Sequence, residues 1–158
     1  MADARIFADL KADHDRHRAL LARIDQADSA KREALFEEFR VEVTAHAAAE
    51  EESLYATMLA EPGLRDEARH SVSEHKEIDD FFGEMAELDT ASSAWKDKFD
   101  AMRHRYEHHI DEEEEEMFPA ASKILSSEQE ARLANIFEQR KPKELQRAEA
   151  EEPGDDRE

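Results

Sequence analysis

The sequence predicts an all-α fold, an antiparallel up-down-up-down four-helix bundle with a short fifth C-terminal helix. Three observations point there. The 158 residues are rich in Ala, Glu, Lys, Leu and Arg and hold only 3 Gly and 4 Pro, a composition that favours helices over strands. Apolar residues recur at the three-and-four spacing of a helix face over long stretches. Breakers divide most of the chain into four stretches of similar length joined by short links, and short links make antiparallel neighbours. The length suits one domain with a single core.

The first helix spans about Asp3 to Gln26, and Asp28-Ser29 supply side chains that can cap the second, about Ala30 to Leu59. Pro62-Gly63 is the strongest stop signal; a third helix follows from about Leu64 to Leu88. Thr90, Ser92 and Ser93 punctuate the next boundary, and the fourth helix runs from about Ala94 to Phe118, ending near Pro119. Ser126-Ser127-Glu128-Gln129-Glu130 resembles a capping box and opens the fifth helix, expected to reach about Arg140 and to end at Pro142. The chain thus divides into a bundle domain, residues 1–141, and an acidic tail, residues 142–158. The final RAEAEEPGDDRE is too charged and too poor in apolar residues to pack, so the tail is expected to be disordered.

A formal net charge of −20, from 42 acidic against 22 basic residues, argues against binding nucleic acid or an anionic membrane surface. The chain has no cysteine, so any metal must be held by nitrogen and oxygen. Its N-terminus, MADARIFADLKADH, lacks a continuous apolar run, and no stretch approaches the roughly 20 apolar residues of a membrane span. A cytoplasmic location is the expectation.

The chemistry lies in what interrupts the apolar stripes. In the fourth helix the stripe runs Trp95, Phe99, Met102, Tyr106, and its rhythm then lands on His109 and Glu113. Within HHIDEEEEEMFP the remaining charges, His108, Asp111, Glu112 and Glu115, turn toward solvent, and Glu114 and Glu116 flank the stripe. The second helix repeats the anomaly: Phe39, Val43, then His46, Glu50, Leu54 and Met58. HAAAEEESLYATM and HIDEEEEEMFPAA also share a second acid at the fifth position and an aromatic at the ninth, the mark of an internal repeat of helix pairs.

The first and third helices each bring an inward histidine, His14 and His75. Counting about 1.5 Å per residue from the turns places His14, His46, His75 and His109 at one level of the bundle. Two buried carboxylates beside four imidazoles need a common counter-charge, because an uncompensated carboxylate in a core costs several kcal/mol. A metal centre supplies it, and histidine and acid one turn apart on facing helices are how bundle cores hold two metals. His17, on the stripe near His14, reads as either a further ligand or a pocket residue. Asp79, one turn after His75, could add an oxygen; His70, His104 and His108 lie off the stripe.

These residues resemble those of the hemerythrin-like, histidine-histidine-glutamate cation-binding family. The resemblance spans about residues 5 to 120, through Asp13-His14, H-A-A-A-E at 46 to 50, Glu74-His75, and H-I-D-E-E at 109 to 113 followed by M-F-P. It implies that His14, His46, Glu50, His75, His109 and Glu113 bind a non-haem di-iron centre of two Fe ions with an oxo or hydroxo bridge, Glu50 and Glu113 bridging. Oxygen-carrying hemerythrin has a second histidine where this chain has Asp79, so a position on each iron stays open unless Asp79, His17 or water fills it. The expected function is binding or sensing of a small ligand, dioxygen, nitric oxide or peroxide. The alternatives are an enzyme that decomposes peroxide or reduces nitric oxide, and iron storage.

Overall fold

The computed structural model describes residues 3–153, and among them every regular element is helical. α1 spans Arg5–Gln26 and α2 Ser29–Glu50; a π-helical turn, Glu51–Tyr55, leads without a break into α3, Ala56–Ala60. After the Pro62-Gly63 turn comes α4, Arg65–Met85. α5, Ser93–Glu112, runs through a second π-helical turn, Glu113–Met117, into α6, Phe118–Ile124; α7, Ser127–Ala150, completes the fold. The caps act where the sequence places them. Asp28 accepts from the Lys31 N–H at 3.0 Å, Ser92 accepts from Trp95 N–H at 3.1 Å, and Ser126 with Gln129 forms the reciprocal capping box.

Neither π-helical turn is expected from the stripes; the first falls directly after the inward Glu50 and the second begins at the inward Glu113. The wider turn holds about one extra residue and so rotates the next stretch of helix by about 100°. Tyr55 and Phe118, the ninth-position aromatics, are buried in consequence, at 0% and 2% exposed.

The second difference concerns Pro142, which does not end the last helix. α7 continues through it to Ala150, so residues 143–150 are ordered helix rather than disordered tail; residues 154–158 of that expected tail lie outside the described residues. An internal proline costs a helix about 3 kcal/mol, which packing must offset. Here Ala148 and Leu145 pack on Val41 and Ala45 of α2, and the buried Arg40 guanidinium donates to the carbonyls of Ala148 at 3.3 Å and Glu151 at 3.4 Å. These contacts tie the end of α7 to the middle of α2.

The bundle core is two apolar clusters with a polar band between them. One gathers Ile6, Leu10, Leu54, Tyr55, Met58, Phe118 and Phe137. The other gathers Leu21, Phe39, Phe82, Trp95, Phe99 and Tyr106. In chain order α1, α2 and α4, and α5 together with its continuation through the second π-helical turn into α6, pass from one cluster to the other, and the inward histidines and glutamates sit at the crossing.

α7 also meets the bundle through a pair of acids. Glu144 is buried and shares a hydrogen bond with Glu52; burial first, then that bond and the Glu52 charge, raise its pKa from 4.5 to about 7. The folded chain therefore holds a proton there that the unfolded chain releases. Its stabilising contribution is full below about pH 4.5 and is lost as the pH rises through about 7. Glu144→Gln keeps an uncharged hydrogen-bonding group at every pH. Thermal melts followed by circular dichroism should show the variant more stable than the parent above about pH 8 and equal to it below about pH 4.5.

Candidate metal centre

All six inward residues expected from the sequence meet in the polar band. His14, His46 and Glu50 form one group of donors and His75, His109 and Glu113 a second; within each group the donor atoms lie within 4.8 Å of one another. Ring centroids are 5.0 Å apart for His14 and His46 and 4.9 Å apart for His75 and His109. The carboxylates stand between the groups. Glu50 Oε1 is 3.7 Å from His46 Nε2 and 3.4 Å from His75 Nε2. Glu113 turns Oε2 toward His14 Nε2 at 3.6 Å and Oε1 toward His75 Nε2 at 3.8 Å, and Oε1 contacts His109 Nε2 directly. Each carboxylate thus addresses histidines of both groups.

Behind each imidazole stands another carboxylate. His46 Nδ1 is 2.8 Å from Asp13, His75 Nδ1 3.2 Å from Glu51, His109 Nδ1 2.9 Å from Glu74, and His14 Nδ1 2.7 Å from Glu114. Every one of these bonds joins two different helical stretches, so the four close a ring: α1 to α2, the turn after α2 to α4, α4 to α5, and the turn after α5 to α1. A carboxylate on Nδ1 fixes the tautomer and aims Nε2 inward, the arrangement in which histidine ligates a metal. The outer acids are anchored in turn. Asp13 accepts from Arg16 and Lys141, each at 2.8 Å, and Glu114 lies 3.1 Å from Arg18.

The sequence motifs contain these acids without revealing their task. Asp13 and Glu74 precede His14 and His75, while Glu51 and Glu114 follow Glu50 and Glu113. The usable signal is the repeated pattern of an acid-histidine pair on one helix and H-x-x-x-E-E on the next. The ninth-position aromatics complete each half: Tyr55 stacks on His75 with centroids 5.4 Å apart, and Phe118 on His14 at 6.1 Å. They also make the halves unequal, because the Tyr55 hydroxyl donates to Glu113 Oε1 at 2.7 Å and Phe118 has no hydroxyl to offer Glu50.

His17 and Asp79 join neither group. His17 is fully buried one turn along α1, with Nδ1 2.7 Å from the Tyr106 hydroxyl, a neutral partner where the four others have a carboxylate. Burial, with His46 as a cationic neighbour, pushes its pKa well below the ordinary histidine value. Asp79 lines a cleft near the centre, where its charge acts on Arg40. Glu112, expected to face solvent, is half-buried and its Oε1 lies 3.4 Å from His70 Nε2.

Burial alone would raise the Glu113 pKa and lower those of His75 and His109. Their mutual bonds reverse all three directions: Glu113 is held well below the carboxylate range, His75 well above the histidine range, and His109 at about 9. Protons on the imidazoles balance the buried carboxylate charge, and a cation bound by the same atoms would displace them. The donor set fits such an ion. His14 Nε2, His46 Nε2, both Glu50 oxygens and Glu113 Oε2 are buried without a hydrogen bond. Two ligand atoms each about 2.1 Å from one ion, at roughly 90–110°, stand about 3.0–3.4 Å apart. The inward N to O separations at His14, His46 and His75, 3.4 to 3.8 Å, begin at the top of that range, and the direct His109–Glu113 contact is closer.

Fold and site together define an all-helical bundle whose core presents clustered histidines and carboxylates to a cation. The Hemerythrin HHE cation binding domain family model matches residues 5–121, so the chain belongs to that family. In fold it is similar to the crystal structure of a Hemerythrin HHE cation binding domain-containing protein from Mycobacterium kansasii. That protein is 24% identical with a TM-score of 0.75, the match covering 96% of this chain and 94% of that one. A comparison with curated proteins gave no match.

If the ring of outer acids aims the imidazoles, loosening one link should weaken the whole site. Asp13→Asn removes the charge behind His46 and is expected to weaken metal retention about 10- to 100-fold in competition with a chromophoric chelator. Asp15→Asn, two residues away and exposed, should leave retention unchanged.

Proposed function

We propose that the chain is a non-haem di-iron protein that binds or senses a small ligand at a centre held by His14, His46, Glu50, His75, His109 and Glu113. The observation that carries this reading is the pairing of two nitrogen-oxygen donor groups through shared carboxylates at the base of a cleft. That cleft, of 530 Å³, lies between α2 and α4 and reaches His46, His75, His109 and Tyr106. Val43, Val72, Ile78 and Phe82 give it apolar wall and Ala47 and Ala48 keep it open, while Glu51, Glu52, Arg69, Lys76, Asp79 and Arg147 add charged groups of both signs to its lining. The apolar stretches of such a passage admit a small neutral molecule such as dioxygen, nitric oxide or peroxide at little desolvation cost.

Bound iron would supply a redox-active centre with positions open to an exogenous ligand. The chain's own residues would hold the metals at a fixed spacing, keep bulk water out with the two apolar clusters, and leave the cleft as the path inward. Imidazole and carboxylate donors with no thiolate suit iron and also suit manganese or zinc, so the metal itself must be measured.

One feature favours an enzymatic alternative. The Tyr106 hydroxyl, buried at the cleft floor and bonded to His17, is a proton donor outside both donor groups. It could serve peroxide decomposition or nitric oxide reduction. Here His17 and Tyr106 would position and protonate the bound molecule.

The decisive experiment is anaerobic loading with ferrous iron, counting metal per chain and then adding nitric oxide. Two irons per chain and a new absorption on ligand addition are expected; one zinc in protein from its own source would overturn the reading. His46→Ala and Glu113→Ala should each lower the count. Peroxide loss at an unchanged rate in His109→Ala would exclude the centre as the agent of that reaction.

A further inference from the structure

A second pocket, of 350 Å³, opens between α4 and α5 on another side of the centre, and its lining differs in kind. Asp66, Glu67, Glu112 and Glu116 stand around it, and no lysine or arginine occurs among its described lining residues. At its side His70 Nε2 lies 3.4 Å from Glu74 Oε1 and 3.4 Å from Glu112 Oε1, so the three make a compact nitrogen-oxygen donor group with atoms within 4.8 Å of one another. Its floor is His109 and Glu113, and Glu113, 1% exposed, turns Oε1 toward His109 and Oε2 toward His14.

Glu74 belongs to both places. The same Oε1 that faces His70 accepts from His109 Nδ1 at 2.9 Å, so one carboxylate connects the outer group to a member of the buried one. Several other exposed acids of the bundle have basic partners: Asp25 with Lys96, Glu84 with Lys98, Glu77 with Arg105, Glu107 with Arg103. The acids around this pocket instead share only histidines in its outer group, with Glu112 Oε2 a further 3.4 Å from His108 Nε2. Local negative charge inside a concavity concentrates cations, by about 10-fold or more in capture rate.

We propose that His70, Glu74 and Glu112 form an outer site for a divalent cation, through which metal passes to Glu113 and His109. The ions suited to it are those that accept imidazole and carboxylate together, such as ferrous iron, manganese or zinc. Half-exposed ligands and few of them make the site weak, which a transfer station requires: an ion held tightly there would not move inward. The delivery step rests on the di-iron reading above, while the outer site stands on its own donors.

Manganese(II) separates the two, because its free hexaaqua ion gives an electron paramagnetic resonance signal that binding removes. The full chain, stripped by chelator, is titrated beside His70→Ala/Glu112→Gln, which leaves Glu74 in place to hold His109. The parent is expected to bind one weakly held Mn(II) per chain that the double variant lacks. Equal counts in both overturn the outer site.

Stopped-flow loading of the buried centre should be about tenfold slower in the double variant, with the same final occupancy. Equal rates overturn delivery. His104→Ala/Asp97→Asn removes the same kinds of group from exposed positions of α5 outside the pocket, and it should load as the parent does; equal slowing in this control would assign the effect to overall charge and overturn the route. A weak Mn(II) without any tightly held metal would refute the di-iron reading and delivery while upholding the outer site.

Discussion

Two carboxylates buried at 0% and 1% exposure, Glu50 and Glu113, set the terms for the rest of the molecule. A lone ionised carboxylate in such a place would cost several kcal/mol, far more than any one packing contact returns. The chain meets that cost with inward imidazoles, and it holds those imidazoles with a further set of acids reaching from neighbouring helices. The ring of four histidine-carboxylate bonds is therefore both electrostatic and architectural. It passes through α1, α2, α4 and α5 and back to α1, and thereby fixes the rotation of each of those helices about its own axis. Apolar packing alone, with its interchangeable ridges, specifies such rotation less strictly.

The ring has the symmetry of the sequence repeat. Each helix pair contributes an acid-histidine dipeptide from its first member and H-x-x-x-E-E, a π-helical turn and a stacked aromatic from its second. The π-helical turns make this possible. In a regular α-helix the ninth position after the histidine would not share its face with the fourth; the extra residue in the turn brings both inward. Where the repeat departs from symmetry it does so by one oxygen atom, the hydroxyl of Tyr55 that Phe118 lacks. Glu113 accepts that hydroxyl while both Glu50 oxygens make no hydrogen bond, so the two halves hold their carboxylates differently.

How far this was legible in the sequence differs from residue to residue. The apolar rhythm was enough to pick out His46, Glu50, His109 and Glu113, because a titratable residue in core phase is a contradiction that the chain must resolve. Counting from the turns was enough to set His14 and His75 at their level. The outer acids were not separable by phase, since Glu51 and Glu114 lie in runs of carboxylates where a solvated face is the default reading. Only the cross-helix geometry distinguishes Glu114, bonded to His14, from Glu115 beside it. The continuation of α7 past Pro142 was hidden for another reason. Its charged segment looks unable to pack, yet Ala148 and Leu145 fall on one face and the Arg40 guanidinium reaches the terminal carbonyls, so tertiary contacts override a local breaker.

The two concavities that reach the centre extend the same logic to traffic. They arise because small or polar residues face each other where α4 leaves its neighbours: alanines and valines opposite α2, serine and acids opposite α5. The cleft toward α2 carries acids and bases together, Glu51, Glu52 and Asp79 beside Arg69, Lys76 and Arg147, whereas the described lining of the pocket toward α5 carries acids and histidines without a lysine or arginine. A buried site served by a single polar channel would have to admit cations and neutral ligands by one path, and its acids would tax every neutral molecule with their tightly held water. On the proposed reading, two routes on different sides of α4 would remove that conflict. Glu74 and His75, adjacent in sequence, face different ways in keeping with this: Glu74 toward the acidic pocket and His109, His75 toward the cleft and Glu50.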